Sequence, residues 1–264
     1  MRVYVKLPYR TTQYSVETEE VQILLKLKHL YGQYCYGEIQ KSENNVFITI
    51  VKSSAQYWRV NIDNCEHYTE NPLQEIKNYI YSSDGIESGI FAMHAGGICV
   101  KNKASIFAAS TTTGKTTLIS YLAESGYKYV SDDCIYINMN NMEIYPCHNP
   151  LHLRRGGYDI LRKNNIIPNG LVEIEDTYDE RIVYMPDNLS PDVMELNKIY
   201  FISRNDAENS VRSLDKTTAI QRLLASPIKP YKITFEYLKF LDKLASRCYD
   251  LYYKDMSYVR DLMV

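Results

Sequence analysis

Residues 107–122, FAASTTTGKTTLISYL, constrain this chain more than any other stretch. An apolar run ends at Ala109. Four small hydroxylated residues follow (Ser110, Thr111, Thr112 and Thr113), and Gly114-Lys115-Thr116-Thr117 then opens an apolar-periodic segment. Matched to G-x-x-x-x-G-K-[ST], the stretch is a phosphate-binding loop whose first glycine is Ala109. Such a loop holds phosphate because its backbone N–H groups line a concavity while the next helix presents its positive end. Small side chains let the backbone come close. Ala109 costs little where it ends a strand with negative φ, since glycine's advantage is confined to positive φ. Ser110 through Thr117 are therefore the candidate nucleotide contacts. Lys115 is expected to reach the β- and γ-phosphates and Thr116 to hold Mg²⁺ through its hydroxyl. ATP, or another nucleoside triphosphate, and Mg²⁺ are the expected cofactors.

The surroundings fit that template. GGICV and ASIFAA are short apolar strands joined by KNK, a hairpin length. The spacing of Leu118, Ile119, Leu122 and Ala123 predicts a helix over 115–125, stopped by Gly126. YKYVSDDCIYI then reads as one strand with Asp132 and Asp133 at its centre. Neighbouring strand residues point to opposite faces, so the two acids would divide their work: one toward Mg²⁺, the other toward the proton of an attacking hydroxyl. His94 in FAMHAGG, and Arg154 and Arg155 in PLHLRRGG, complete the set of candidates.

Farther on, LNKIYFIS and CYDLYY read as strands, TTAIQRLLA and TFEYLKFLDKLASR as helices, and the polar residues 205–216 as loop. This alternation predicts an α/β fold. Residues 1–85 look different. RVYVKL, NNVFITIVKS and YWRVNID are strand-like, VQILLKLKHL fits strand or helix, and PLQEIKNYIYSS suits a helix with Pro72 in its first turn. SSDGIESG is a plausible boundary, giving a smaller N-terminal α+β domain (1–85) and a loop-bearing domain (86–264).

Composition narrows the classes. A net charge of −2 gives no general pull toward nucleic acid or anionic membrane. No apolar run approaches the ~20 residues of a membrane span. The start of the chain lacks the pattern of a secretory signal, so a cytoplasmic protein is expected. The six cysteines form no CxxC pair and read as reduced thiols. Cys147, His148 and His152 lie close together, but proline interrupts them and no second ligand pair follows, so a loop near the site is the preferred reading. Self-association is left open.

MHAGG, AASTTTGKTTL, YKYVSDDCIYI and PLHLRRGG occur in the order and approximate spacing of the HPr kinase/phosphorylase family. From about residue 85 onward the chain resembles the HPr-kinase-like proteins of peptide biosynthesis clusters, such as the lasso-peptide kinases. The resemblance implies a P-loop kinase core related to PEP carboxykinase, with ATP and Mg²⁺ on the loop and a serine or threonine hydroxyl of a peptide or small protein as acceptor. It implies Asp132 as general base, Asp133 as the acid near the metal and His94 beside the transferred phosphate. Arg155 and Gly156 match the EIRG signature of the HPr enzymes. The acid of that signature is Leu153 here, a departure that removes a metal-holding group. Two other readings remain: a nucleotide-binding switch that transfers nothing, and a small-molecule kinase.

Overall fold

The structure, a computed structural model, describes residues 1–82, 86–110, 113–176, 179–205, 207–228 and 231–264. The chain first forms β1 (Arg2–Val5), β2 (Thr12–Thr18), α1 (Val21–Tyr31), β3 (Cys35–Tyr36), β4 (Asn44–Lys52), β5 (Trp58–Ile62), β6 (Cys65–Thr69) and α2 (Pro72–Ser82). The strands make a six-stranded sheet in the order β3-β1-β2-β4-β5-β6. β2 and β4 run parallel, with α1 in the connection between them. VQILLKLKHL is thus helical. Its buried residues, Ile23, Leu24, Leu27 and Tyr31, recur on one helical face and pack on Val3, Val5 and Ile48 of the sheet. Each such side chain contributes about 1.5–3 kcal/mol. From α2, Ile76 and Ile80 join the same cluster, whose buried members all fall between Val3 and Ile80.

The remainder comprises β7 (Ile90–Met93), β8 (Gly96–Val100), β9 (Lys103–Ala108), α3 (Lys115–Glu124), β10 (Lys128–Ser131), β11 (Ile135–Asn138), β12 (Glu143–Tyr145), β13 (Leu151–Arg154), α4 (Arg155–Lys163), β14 (Val172–Asp176), β15 (Asp179–Tyr184), β16 (Met194–Arg204), β17 (Ser210–Ser213), α5 (Lys216–Ala225), α6 (Phe235–Ala245), β18 (Cys248–Tyr253) and α7 (Met256–Leu262). A nine-stranded sheet runs β10-β8-β9-β16-β12-β11-β7, with β18 on β16 and β17 on β18. Among the described residues, β16 pairs parallel with β9 and with β18, and the other pairs of this sheet are antiparallel. The fold is therefore mixed α/β. β13, β15 and β14 form a separate three-stranded sheet.

Alternation along β9 sorts the core into two layers. Ala104, Ile106 and Ala108 face a cluster with Leu223 of α5 and with Phe240, Leu241 and Leu244 of α6. Phe107 faces Leu118, Ile119 and Leu122 of α3. Helices thus cover both faces of the sheet. The β8–β9 hairpin forms as its spacing predicts, with Lys101 and Asn102 both at positive φ (48° and 63°), the backbone of a tight two-residue turn. Asp215 caps α5 and Thr234 caps α6 through their side-chain oxygens.

Two expectations fail. Residues 205–216 are not all loop, because Ser210–Ser213 pairs antiparallel with β18. More consequentially, YKYVSDDCIYI is not one strand. β10 pairs with β8 and β11 with β7 and β12, at opposite ends of the sheet order. Asp132 and Asp133 therefore occupy a crossing between sheet ends rather than opposite faces of a strand. Ser131 Oγ accepts a hydrogen bond from Cys134 N across this bend at 3.3 Å. The β7–β8 connection, His94–Ala95, spans the same two ends, which brings His94 beside the acids.

The N-terminal sheet meets the larger one through aromatic packing. Tyr9 stacks on Tyr145 at 4.8 Å and packs on Tyr136 at 5.2 Å. Tyr34 Oη accepts from His148 N at 2.9 Å. Of the expected boundary stretch SSDGIESG, with its division after residue 85, residues 83–85 lie outside the described residues.

Candidate active site

Gly114 makes the turn into α3 with φ 93°, a conformation that side-chain-bearing residues rarely adopt. Ser110 and Thr113 tie the preceding segment together: their hydroxyls lie 2.9 Å apart and Thr113 Oγ1 donates to Ser110 O at 2.8 Å. Thr111 and Thr112 lie outside the described residues. Gly96 lets α3 approach the hairpin. A Cβ there would stand 2.7 Å from Ile119 Cγ1 and 3.2 Å from Ser131 O.

The first two helical residues meet the first acid. Lys115 Nζ donates to Asp132 O and lies 3.0 Å from Asp132 Oδ1, while Thr116 Oγ1 donates to Asp132 Oδ2 at 2.7 Å. Lys115 is 8% and Asp132 4% exposed, so this is a buried ion pair with both carboxylate oxygens satisfied. Such a pair is tolerable because its partners are present, and removing either strands a charge. Thr117 points elsewhere. It packs against α4, where a Cβ on Gly157 would come within 2.6 Å of its hydroxyl. That makes it a helix-contact residue.

Asp133 faces a different environment. It lines a cavity of about 1030 Å³ together with His94, Ala109, Ser110, Lys77 and Arg222. His94 Nδ1 donates to Asp133 O at 3.0 Å, which leaves Nε2 as the acceptor in the neutral ring. Burial, then the Lys115 charge, lowers the His94 pKa and favours that neutral form. Asp133 Oδ2 lies 3.8 Å from Lys77 Nζ. Burial alone would raise the Asp133 carboxyl, but Lys77 first and Lys115 second outweigh it and hold the group well below the usual carboxylate range.

Lys77 was not evident in the sequence. It stands on α2, in the N-terminal segment that carries no motif, between Ile76 and the cavity-lining Asn78. Its ammonium also lies 3.4 Å from His152 Nδ1, and His152 Nε2–H donates to Leu30 O at 3.2 Å. An ammonium can only donate, so Nδ1 must accept and the tautomer is fixed. Burial first and Lys77 second push the His152 pKa down to about 3. Cys147, His148 and His152 thus go to different partners: Cys147 to the buried cluster with Tyr136, and His148 Nε2 to Ser190 Oγ at 3.0 Å.

Arg222 is the second residue that sequence reasoning missed. Its guanidinium pairs with both oxygens of Asp250 and lies over the Phe201 ring at 5.3 Å, on the cavity wall. Arg155 is not brought there. It opens α4, half exposed, beside Asp159 (3.9 Å), Glu173 (3.4 Å) and the Tyr158 ring. Among the described residues no three His, Cys, Asp or Glu side chains converge as an all-protein metal site. Mg²⁺ on a nucleotide needs no such cage, since one or two carboxylates plus phosphates and water suffice. The adjacent Thr116 hydroxyl and Asp132 carboxylate would be the protein donors for such an ion.

No family model matches the chain, and no curated protein matches it in sequence. Several solved structures are distantly alike. Among them is the HPr(Ser) kinase/phosphatase from Coxiella burnetii, at 11% identity and a TM-score of 0.33, with the match covering 65% of this chain and 90% of that one. A likeness at this level assigns no chemistry.

Proposed function

We propose that the chain is an ATP- and Mg²⁺-dependent kinase that phosphorylates a serine or threonine hydroxyl of a peptide or small protein. One observation carries this reading. Ala109 and Ser110, where the phosphate loop begins, line a large cavity together with a carboxylate, Asp133, and His94, while Lys115 and Thr116 at the other end of the loop hold the adjacent Asp132. The volume, about 1030 Å³, lies at the top of the ~300–1,000 Å³ range of small-molecule sites, which suits a nucleotide and an acceptor side chain together.

The geometry favours exchanging the two aspartates' roles from those the resemblance implies. Asp132, gripped by Thr116 and Lys115, is placed to hold the metal side of the site. Bound Mg²⁺ would neutralise charge on the β- and γ-phosphates. Asp133, on the open wall, would orient the acceptor hydroxyl and receive its proton as the new O–P bond forms and the bond to the leaving ADP oxygen breaks. A carboxylate held so acidic orients more than it deprotonates, which a loose phosphoryl-transfer transition state tolerates. Lys115 would leave Asp132 for the phosphates, and His94 Nε2 would offer a polar contact beside the transferred group.

The test is to incubate the full chain with γ-labelled ATP, Mg²⁺ and a degenerate serine/threonine peptide library. Label should enter peptides as one HPO₃ group. Nucleotide binding with no transfer to any peptide would replace the kinase by a switch.

A further inference from the structure

Resting on the kinase reading above, we propose that Lys77 is a second phosphate-binding cation, supplied by the N-terminal sheet unit and aimed at the terminal phosphoryl group of the nucleotide. Four observations support it. Lys77 lines the same cavity as Ala109 and Ser110, where the phosphate loop begins, and as His94 and Asp133. Its ammonium lies 3.8 Å from the Asp133 carboxylate, the group placed to meet the acceptor. A dedicated contact holds it: His152 Nδ1 accepts from Nζ, and the ring is itself fixed by the Leu30 carbonyl, so the aim depends on α1, α2 and β13 together. The loop lysine, by contrast, sits buried on Asp132. A γ-phosphoryl group leaving the loop toward Asp133 therefore moves toward Lys77, and an ammonium there neutralises charge where it develops. An ammonium can exchange its carboxylate partner for a phosphate oxygen without loss of charge-assisted hydrogen bonding.

Lys77 would thereby make the N-terminal unit part of the active site. The inference predicts discrimination between nucleotides. Binding of Mg·ADP and of a non-hydrolysable Mg·ATP analogue is measured calorimetrically for the wild type, Lys77→Met and Lys77→Arg. Lys77→Met should weaken the triphosphate analogue roughly tenfold or more, the scale of one hydrogen bond to a charged group. Mg·ADP affinity should stay within about twofold, which also shows that the variant is folded. Lys77→Arg should recover most of the loss. Equal losses for both nucleotides, or no loss for either, would overturn the role of Lys77 while leaving the kinase reading intact. A wild-type chain that binds neither nucleotide would overturn both.

Discussion

The two lysines nearest Asp133 come from regions built in different ways. Lys115 belongs to a local motif: strand, tight turn and helix are consecutive in the chain, and its Asp132 partner is seventeen residues away. Lys77 reaches the neighbouring acid, Asp133, from α2, and its contact with His152 spans seventy-five residues. The first region carries its chemistry in spacing alone. The second has it only once the N-terminal unit has packed on the rest of the chain. A site of this kind has one half that short-range rules specify and another half that tertiary packing supplies.

Substitutions on the two sides should separate them. The largest effect is expected at Asp133. Asp133→Asn should lower phosphotransfer at least about 10²-fold, the lower end for removing an acid–base group, with little change in nucleotide affinity. Asp132→Asn should instead raise the Mg²⁺ concentration needed for half-maximal rate. Identical Mg²⁺ dependence in both variants would erase the distinction between the acids. Lys115→Ala should follow, because it strands the buried Asp132 carboxylate at a cost of about 3–5 kcal/mol. Thermal melts should show a lower Tm and no stabilisation by Mg·ATP, which the wild type gains in proportion to ligand concentration over Kd. A retained nucleotide shift would detach the loop from binding.

A smaller loss is expected at Gly96, where an added Cβ meets Ile119 at 2.7 Å. Gly96→Ala should cost about 1–3 kcal/mol of stability by overpacking α3 against the hairpin, readable by denaturant titration. The last effect is graded, a slope with pH that is small within about a unit of pH 6.5 and accumulates only in acid. His152, held near 3 in the fold, is close to 6.5 when unfolded. The unfolded chain therefore binds the extra proton between those values. The contribution is fully present above about pH 6.5 and is lost as pH falls toward 3, by up to about 1.4 kcal/mol per pH unit. His152→Gln should flatten that part of the stability profile.

Much of the larger unit was legible because its signals are local. The hairpin, the helix after Gly114 and the capped helices over 216–225 and 235–245 all follow from periodicity and turn chemistry within a dozen residues. The double acid was seen as a site but misplaced. SDD sits within an apolar run, and nothing in its neighbours reveals that the flanking strands pair at opposite ends of a sheet. The ambiguity of VQILLKLKHL disappears once one of its faces has a sheet to cover. Lys77 and Arg222 were illegible for a further reason. A single cation on an amphipathic helix looks like solvated surface until its partners, Asp133 and His152 in one case and Asp250 in the other, are placed by long-range packing.

Hydrogen exchange by mass spectrometry, with and without Mg·ATP, tests most directly that nucleotide phosphates lie between the loop and α2. Slower exchange is predicted both in peptides spanning 107–119 and in peptides spanning 72–82, with β4 to β6 unchanged. Protection of the loop alone would remove the N-terminal unit from the site. Protection of neither segment would contradict nucleotide binding there altogether.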